Sequence, residues 1–185
     1  MNSVQKNFES SSKFLSLVLR HKPEEIGLAL DSEGWALIDE LIKLANATGQ
    51  NFDRQTIEMI VSTSDKQRFA LSQDGQRIRA NQGHSVNVSL GLKPVIPPDT
   101  LYHGTASRFL SSIHLDGLHS AQRQHVHLSS NAEVAELVGA RHGVPVVLII
   151  DAKAMSGHGH LFYLSQNGVW LTETVPANYI RDPLE

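Results

Sequence analysis

The proline-rich segment at residues 86–100 constrains the fold more than any other feature of this sequence. It reads VNVSLGLKPVIPPDT and holds three prolines, which remove backbone donors and disfavour helix in the residues before them. Helical patterns precede this segment, and strand-rich patterns follow it. We therefore predict an α+β protein with two lobes, residues 1–90 and residues 91–185.

The first lobe opens with helical patterns. Apolar residues recur at helical spacing over residues 10–21 and 38–47, and a short strand is expected at residues 35–37. Pro23 ends the first helix because it cannot donate a backbone hydrogen bond. Asp53 is suited to cap a third helix. This half of the lobe is therefore predicted to be helical.

A hairpin follows these helices. The pattern changes to period two, and Asp74-Gly75 is a typical hairpin turn. If Ile78 on the return strand points to the core, Arg77 and Arg79 share the opposite face. Helices followed by a hairpin predict a winged-helix-like unit, a form common in nucleic-acid binding, although fold alone licenses no function.

The second lobe alternates short strands with helices. Strands are predicted at residues 101–103, 125–129, 146–150, 161–164 and 169–174, and helices at residues 107–115 and 132–142. The usual nucleotide-binding glycine patterns are missing: Gly157 and Gly159 lack the third glycine of the dinucleotide signature, and there is no phosphate loop. A nucleotide bound by this lobe would therefore be held without either of these motifs.

The composition limits the classes of function. A formal net charge of −3 counts against a general nucleic-acid coat but leaves room for a local basic pocket. The absence of cysteine excludes disulfides and thiolate metal sites. No apolar run reaches the roughly 18 residues needed to span a membrane, and the N-terminal residues lack the apolar segment of a secretory signal. We expect a cytoplasmic protein without membrane contact.

Two Arg-His pairs lie at predicted helix ends. In Arg20-His21 the planar guanidinium suits phosphate oxygens, and the imidazole can donate a hydrogen bond or move a proton. Arg141-His142 stands in a similar place before Gly143. The alternative for both pairs is that a cation at a helix C-terminus stabilises the helix dipole.

The segment RIRANQGHS at residues 77–85 indicates an anion site more strongly. Its two arginines lead into a polar turn with Gly83 and His84. Basic side chains and turn amides together bind anions. The alternative is a solvated hairpin face.

Two histidine pairs, His125/His127 and His158/His160, have members two residues apart. On a strand both members of a pair would face one side and could bind a metal. A third ligand at a fixed spacing is missing, so strand histidines facing a polar cleft are the favoured interpretation, and no metal is expected.

Six segments taken together resemble the RNA 2′-phosphotransferase family. They are LSLVLRHKP (15–23), RIRANQGHS (77–85), LYHGT (101–105), HVHLS (125–129), VGARHGVPVVL (138–148) and GVWLTETVP (168–176). The resemblance implies a winged-helix-like N-terminal lobe that helps to hold RNA. It also implies an ADP-ribosyltransferase-type C-terminal lobe that binds NAD⁺ as a co-substrate without a Rossmann motif.

The resemblance also implies a reaction. The 2′-phosphate of the RNA attacks the nicotinamide-bearing ribose carbon of NAD⁺ and releases nicotinamide. The 2″-hydroxyl of the ADP-ribose then attacks the phosphorus, giving RNA with a free 2′-hydroxyl and ADP-ribose 1″,2″-cyclic phosphate. A tRNA-splicing product with a 2′-phosphate is the substrate implied for some organisms, and a monomer is the default expectation.

The site residues implied by the resemblance fall into two sets. The phosphate-binding, catalytic set is Arg20, His21, Arg79 and Arg141. The NAD⁺-lining set is His103, Gly104, Thr105, His127 and Ser129. Because the phosphate is already anionic, the first step needs no base, and fixed cations would stabilise the charged phosphorus centre of the second.

Two alternatives stay open. The chain could be an ADP-ribosyltransferase that modifies terminal nucleic-acid phosphates and stops after the first step, or a non-catalytic RNA-binding module. Glu173 lies where related enzymes carry a glutamate, but it cannot be aligned securely and is left out of the predicted site.

Overall fold

The computed structural model describes residues 3–64 and 66–182. The chain folds as two compact units, Met1–Gly91 and Leu92–Glu185, and each unit contains its own cluster of buried apolar side chains. Both units combine helices with antiparallel sheets. The predicted α+β class is therefore confirmed.

The described residues of the first unit form three α-helices and one three-stranded sheet. Its elements are α1 (Ser3–Arg20), β1 (Ala36–Leu37), α2 (Ile38–Ala47), α3 (Arg54–Thr63), β2 (Phe69–Leu71) and β3 (Arg77–Ala80). The strands pair antiparallel in the order β1-β3-β2. As predicted, Asp53 caps α3, because its carboxylate accepts a 2.7 Å hydrogen bond from the N–H of Thr56.

Helix α1 begins earlier than the sequence predicted. The expected start at residue 10 is wrong, since the helix already begins at Ser3 and includes Ser10–Ser12, the expected cap. Inside the helix the hydroxyl of Ser16 donates to the carbonyl of Ser12 at 2.8 Å, so serine is accommodated by bonding to the preceding turn. The C-terminal end at Arg20, ahead of Pro23, agrees with the prediction.

The hairpin of β2 and β3 orients the arginines of the first unit. The carboxylate of Asp74 accepts from the N–H of Gln76 and so stabilises the turn. Ile78 is fully buried in the core, whereas Arg77 and Arg79 both lie against one indole ring on the opposite face. The predicted alternation along this strand is confirmed.

Up to residue 182, the second unit forms three α-helices and three small antiparallel sheets. Its elements are β4 (Thr100–Ala106), α4 (Leu110–Asp116), β5 (Leu118–His119), β6 (Val126–Leu128), α5 (Ala132–Gly139), β7 (Pro145–Asp151), α6 (Ala152–Gly157), β8 (Phe162–Leu164), β9 (Trp170–Thr172), β10 (Thr174–Val175) and β11 (Ile180–Arg181). The sheets have the orders β11-β7-β4, β6-β9-β8 and β10-β5. Across residues 3–64 and 66–182, no helix has both the length and the apolar character needed to cross a membrane.

Several elements of the second unit differ from prediction. Helix α5 ends at Gly139 instead of His142, so Arg141 lies in the turn after the helix. The strand expected at residues 169–174 is divided into β9 and β10, with Glu173 between them. Helix α6 was not expected, because six residues are too few to show a helical period.

Two glycines allow α5 to pack directly on β4. A Cβ atom added to Gly104 would lie 1.6 Å from the carbonyl oxygen of Ala135, and one added to Gly139 would lie 2.5 Å from the carbonyl oxygen of Thr105. Side chains at these positions would push the helix off the strand. The contact places the end of α5, and the turn after it, close to the middle of β4.

Candidate functional site

The first cluster of predicted residues lies at the end of α1. Arg20 is the last helical residue, and its carbonyl accepts hydrogen bonds from the N–H groups of Ser85 and Val86 at 2.9 and 3.2 Å. The Nδ1 atom of His21 lies 3.0 Å from the hydroxyl of Ser85. The end of α1 is thus tied to the segment that follows β3.

Arg79 is held against the same region from β3. Its side chain is 9% exposed, and its guanidinium carbon lies 4.4 Å from the ring centroid of Trp35. The Nη1 atom makes one long hydrogen bond, 3.5 Å, to the carbonyl of Glu33. Among the described residues no carboxylate lies within ion-pair distance of Arg79. Burial and the ring stack exclude a freely solvated hairpin face for this arginine.

His84 lies among these cations. Its side chain is 1% exposed, and burial lowers its pKa from 6.5 to about 4, with further lowering from the nearby charges of Arg20, His21 and Arg79. The ring is therefore neutral at neutral pH. The same three charges acting on one buried ring show that the structure brings Arg20, His21 and Arg79 together.

The segment from Arg79 to His84 also carries buried polar atoms without partners. Within the described residues, the Nε atom of Arg79, the Oδ1 atom of Asn81, the Oε1 atom of Gln82 and both ring nitrogens of His84 make no hydrogen bond. Each buried, unsatisfied polar group costs about 1–3 kcal/mol. Such a concentration in one short segment is typical of a site that a ligand completes.

The second unit contains the histidines predicted to line the NAD⁺ site. The Nδ1 atom of His103 donates to the carbonyl of His127 at 3.0 Å, which fixes the proton on that nitrogen. Burial lowers the pKa of His103, the hydrogen bond to His127 opposes this, and His142 contributes to the lowering. Arg123 donates to the Nδ1 atom of His127 at 3.1 Å. One ring nitrogen of each histidine thus has a defined partner.

The other predicted NAD⁺-site residues have structural contacts of their own. Gly104 permits the close packing of α5 described above, and Thr105 beside it is 6% exposed. The hydroxyl of Ser129 donates to the carbonyl of Asn131 and accepts from its N–H, which shapes the turn before α5. These three residues therefore hold β4, the turn and α5 together.

Arg141 belongs to the second unit and lies in the turn between α5 and β7. Its side chain is exposed, and its N–H donates to the carbonyl of Val138 at 3.2 Å. The next residue, His142, acts electrostatically on His103. The turn is therefore close to the histidine pair of this unit.

Three histidines of the two predicted strand pairs, His125, His158 and His160, lie outside strands. His125 precedes β6 and packs against Tyr163, and burial lowers its pKa while Glu173 opposes this. His158 and His160 follow α6 and contact Tyr179, so their predicted strand location is wrong. No group of three or more metal-binding side chains occurs among residues 3–64 and 66–182.

The family described as RNA 2′-phosphotransferase, Tpt1 / KptA family matches residues 6–174. The chain belongs to this family. The resemblance drawn from the six sequence segments is therefore confirmed.

Bacterial members of the family are similar over nearly their whole length. A probable RNA 2′-phosphotransferase of Hahella chejuensis is 56% identical over 177 residues, covering 96% of this chain and 95% of the relative. Similarly named proteins are 56% identical in Agrobacterium fabrum, with 92% of each chain covered, and 55% identical in Pseudomonas aeruginosa, with 96% and 98% covered.

The sequence patterns did not identify His84 as a candidate site residue. His84 was named as part of a polar turn but was not included among the site residues. The signal available was its position in the RIRANQGHS segment. Its burial among three cations depends on contacts between residues far apart in the chain, which local patterns do not reveal.

Proposed function

We propose that this chain removes an internal 2′-phosphate from RNA with NAD⁺ as co-substrate. Membership of the RNA 2′-phosphotransferase family supports the transfer of a 2′-phosphate. The observation that carries the proposal is the grouping of the half-buried Arg20 and His21 with the buried Arg79 around the buried ring of His84.

The cluster suits a dianionic phosphate. Arg79 has no carboxylate partner among the described residues, so its charge is available to a ligand. A partly buried site of low dielectric strengthens its attraction for an anion. Positive groups held in place before the reaction can stabilise a developing charge without reorganisation. We assign Arg20, His21 and Arg79 to binding of the transferred phosphate. Arg141 is added to this set on the family resemblance alone.

The second unit offers residues that fit NAD⁺. The ring of His103 is fixed through Nδ1, and its Nε2 atom has no hydrogen-bond partner among the described residues. His127 and the turn at Ser129 lie beside it. We assign His103, Gly104, Thr105, His127 and Ser129 to the NAD⁺ site.

The three helices and hairpin of the first unit support a winged-helix-like lobe. The antiparallel sheets of the second, with no dinucleotide glycine signature, support an ADP-ribosyltransferase-type lobe.

In the proposed reaction a phosphate oxygen forms a bond to the ribose carbon that nicotinamide leaves. The neighbouring ribose hydroxyl then attacks the phosphorus, and the RNA 2′-oxygen departs with a proton. Arginines around the phosphate stabilise the second step, in which charge on the phosphorus centre is largest. The products are RNA with a 2′-hydroxyl and ADP-ribose 1″,2″-cyclic phosphate.

The test is incubation of the purified protein with NAD⁺ and an oligoribonucleotide bearing one internal 2′-phosphate, with all products identified by mass. We expect nicotinamide, the dephosphorylated oligonucleotide and the cyclic phosphate. A stable ADP-ribosyl adduct would favour a terminal ADP-ribosyltransferase instead. Binding of the oligonucleotide without nicotinamide release would favour a non-catalytic RNA-binding module.

Two variants on the same strand face sharpen this test. Arg79→Gln should lower the rate by roughly 10²–10³-fold, the usual effect of losing one preorganised donor. Arg77→Gln is the matched control, because Arg77 lies 3.5 Å from a carboxylate oxygen of Asp31 and is half exposed. It should change the rate by about threefold or less. Equal effects of the two substitutions would contradict the assignment of Arg79.

A further inference from the structure

The loop at residues 31–35, which we call the indole loop, packs against Arg79 and His84. We call Arg20, His21 and Arg79 the cation cluster. The side-chain anchor of the loop is Asp31, whose Oδ1 atom accepts hydrogen bonds from the N–H groups of Glu33 and Trp35, both at 2.9 Å. The carbonyl of Trp35 also accepts from the N–H of Asp31 at 2.9 Å. With the hydrogen bond from the N–H of Gly34 to the carbonyl of Asp31 at 3.0 Å, four hydrogen bonds over five residues give this loop a defined conformation.

The last three residues of the indole loop contact the site. Gly34 adopts a φ of +81°, and a Cβ atom there would lie 3.4 Å from the Nε2 atom of His84. The carbonyl of Glu33 accepts the long hydrogen bond from Arg79, and the indole of Trp35 lies under its guanidinium. None of the residues assigned above to phosphate binding belongs to this loop, so its role in the site is still to be explained.

The stack of Arg79 on Trp35 has a specific physical consequence. A carboxylate partner would occupy guanidinium N–H groups and offset the positive charge. An aromatic face attracts the cation through its quadrupole and leaves the in-plane N–H donors available. Arg77 shows the other arrangement, since it is farther from the ring, 5.7 Å, and lies near the carboxylate of Asp31.

We propose that Trp35 is a positioning residue of the phosphate site: its indole face orients the guanidinium of Arg79 while leaving the N–H donors to the phosphate. This inference rests on the proposed function, because it assumes that Arg79 binds the phosphate. Trp35 itself need not touch the substrate.

The kinetic test compares three variants with the wild type. Trp35→Leu keeps an apolar side chain but removes the aromatic face, and it should lower kcat/KM for 2′-phosphorylated RNA by roughly tenfold, equivalent to about 1.4 kcal/mol. Trp35→Phe restores a face and should stay within about threefold of wild type. Trp170→Phe, at the only other tryptophan, is the control and should leave turnover unchanged. Circular dichroism and thermal unfolding check that each variant is folded.

A second readout needs no activity. In protein labelled with ¹⁵N-arginine, the Nε–H resonance of Arg79, identified by its loss in Arg79→Lys, should lie upfield because of the ring current of Trp35. The upfield shift should disappear in Trp35→Leu and persist in Trp35→Phe. Titration with inorganic phosphate should move this resonance, with an affinity about tenfold weaker in Trp35→Leu than in wild type.

The outcomes separate this inference from the proposed function. If wild-type protein fails to process 2′-phosphorylated RNA, the proposed function fails, while the resonance and the phosphate titration still judge the role of Trp35. If folded Trp35→Leu matches the wild type in the Arg79 resonance and in phosphate affinity, the positioning role is overturned. Equal loss of activity in Trp35→Leu and Trp35→Phe would also overturn it, since the aromatic face would not be the property that matters.

Discussion

Replacing His84 by leucine should remove a large part of the first unit's sensitivity to acid. The ring is 1% exposed, and burial together with the charges of Arg20, His21 and Arg79 lowers its pKa from 6.5 to about 4. In the unfolded chain the ring has an ordinary pKa of about 6.5. The folded and unfolded states therefore bind different numbers of protons between these two values.

The sign of the effect follows from these two pKa values. Near pH 8 the ring is neutral in both states, so its titration does not change stability. Between about pH 6.5 and about pH 4 the unfolded chain binds a proton that the folded chain excludes, and the free energy of unfolding falls as the pH falls. The interval is equivalent to about 3 kcal/mol. Below about pH 4 both states are protonated, and no further loss arises.

The assay follows denaturant unfolding by the fluorescence of Trp35 in a Trp170→Phe background, which reports on the first unit because the chain has two tryptophans. Between about pH 7 and about pH 4, His84→Leu should lose about 3 kcal/mol less stability than its parent. His84→Gln, which is polar but does not titrate, is the matched control and should show the same reduced slope. Parallel stability curves for the parent and both variants would refute the buried, neutral state of His84.

Two further predictions concern the packing that supports the second unit. Gly104→Ala should destabilise the protein by about 3 kcal/mol or more, because the new methyl group would meet the carbonyl of Ala135; Gly157→Ala, where nothing lies within 4 Å, should leave the melting temperature unchanged or raise it slightly. Asn131→Ala removes the side chain that accepts from the N–H of Val134 at the start of α5, and thermal unfolding should show a loss of about 1 kcal/mol that Asn131→Asp largely restores.

Local patterns were sufficient for the parts of the fold that depend on neighbours in sequence. The bounds of α2 and the alternation around Ile78 agree with the structure, because helical and strand periods determine which side chains can reach the core. The predicted end of α5 was wrong because two glycines, Gly139 and Gly143, could each have ended the helix. The sequence pattern favoured Gly143 as the end of the helix. In the structure the helix ends at Gly139, which also allows the close packing on β4.

The candidate site was less predictable, because its contacts join distant segments. The sequence suggested a strand at Trp35, and that residue instead supports Arg79 from 44 positions away, at 4.4 Å. The surroundings of His84 include Arg20 at the end of α1 and Gly34 in the indole loop. Periodicity reports the face of an element and cannot report which side chain from another element covers it.

Arg79 differs from two more exposed arginines of the first unit in the groups that surround its guanidinium. Arg54 lies 3.0 Å from a carboxylate oxygen of Asp39, and Arg77 lies 3.5 Å from one of Asp31. Arg79 is the more buried, yet it rests on an indole ring and has no carboxylate partner among the described residues. A buried cation without a counter-ion is costly unless a ligand supplies the negative charge. Under the proposed function, a bound phosphate would supply this negative charge, and the resulting difference in free energy between the free and bound states would contribute to phosphate recognition.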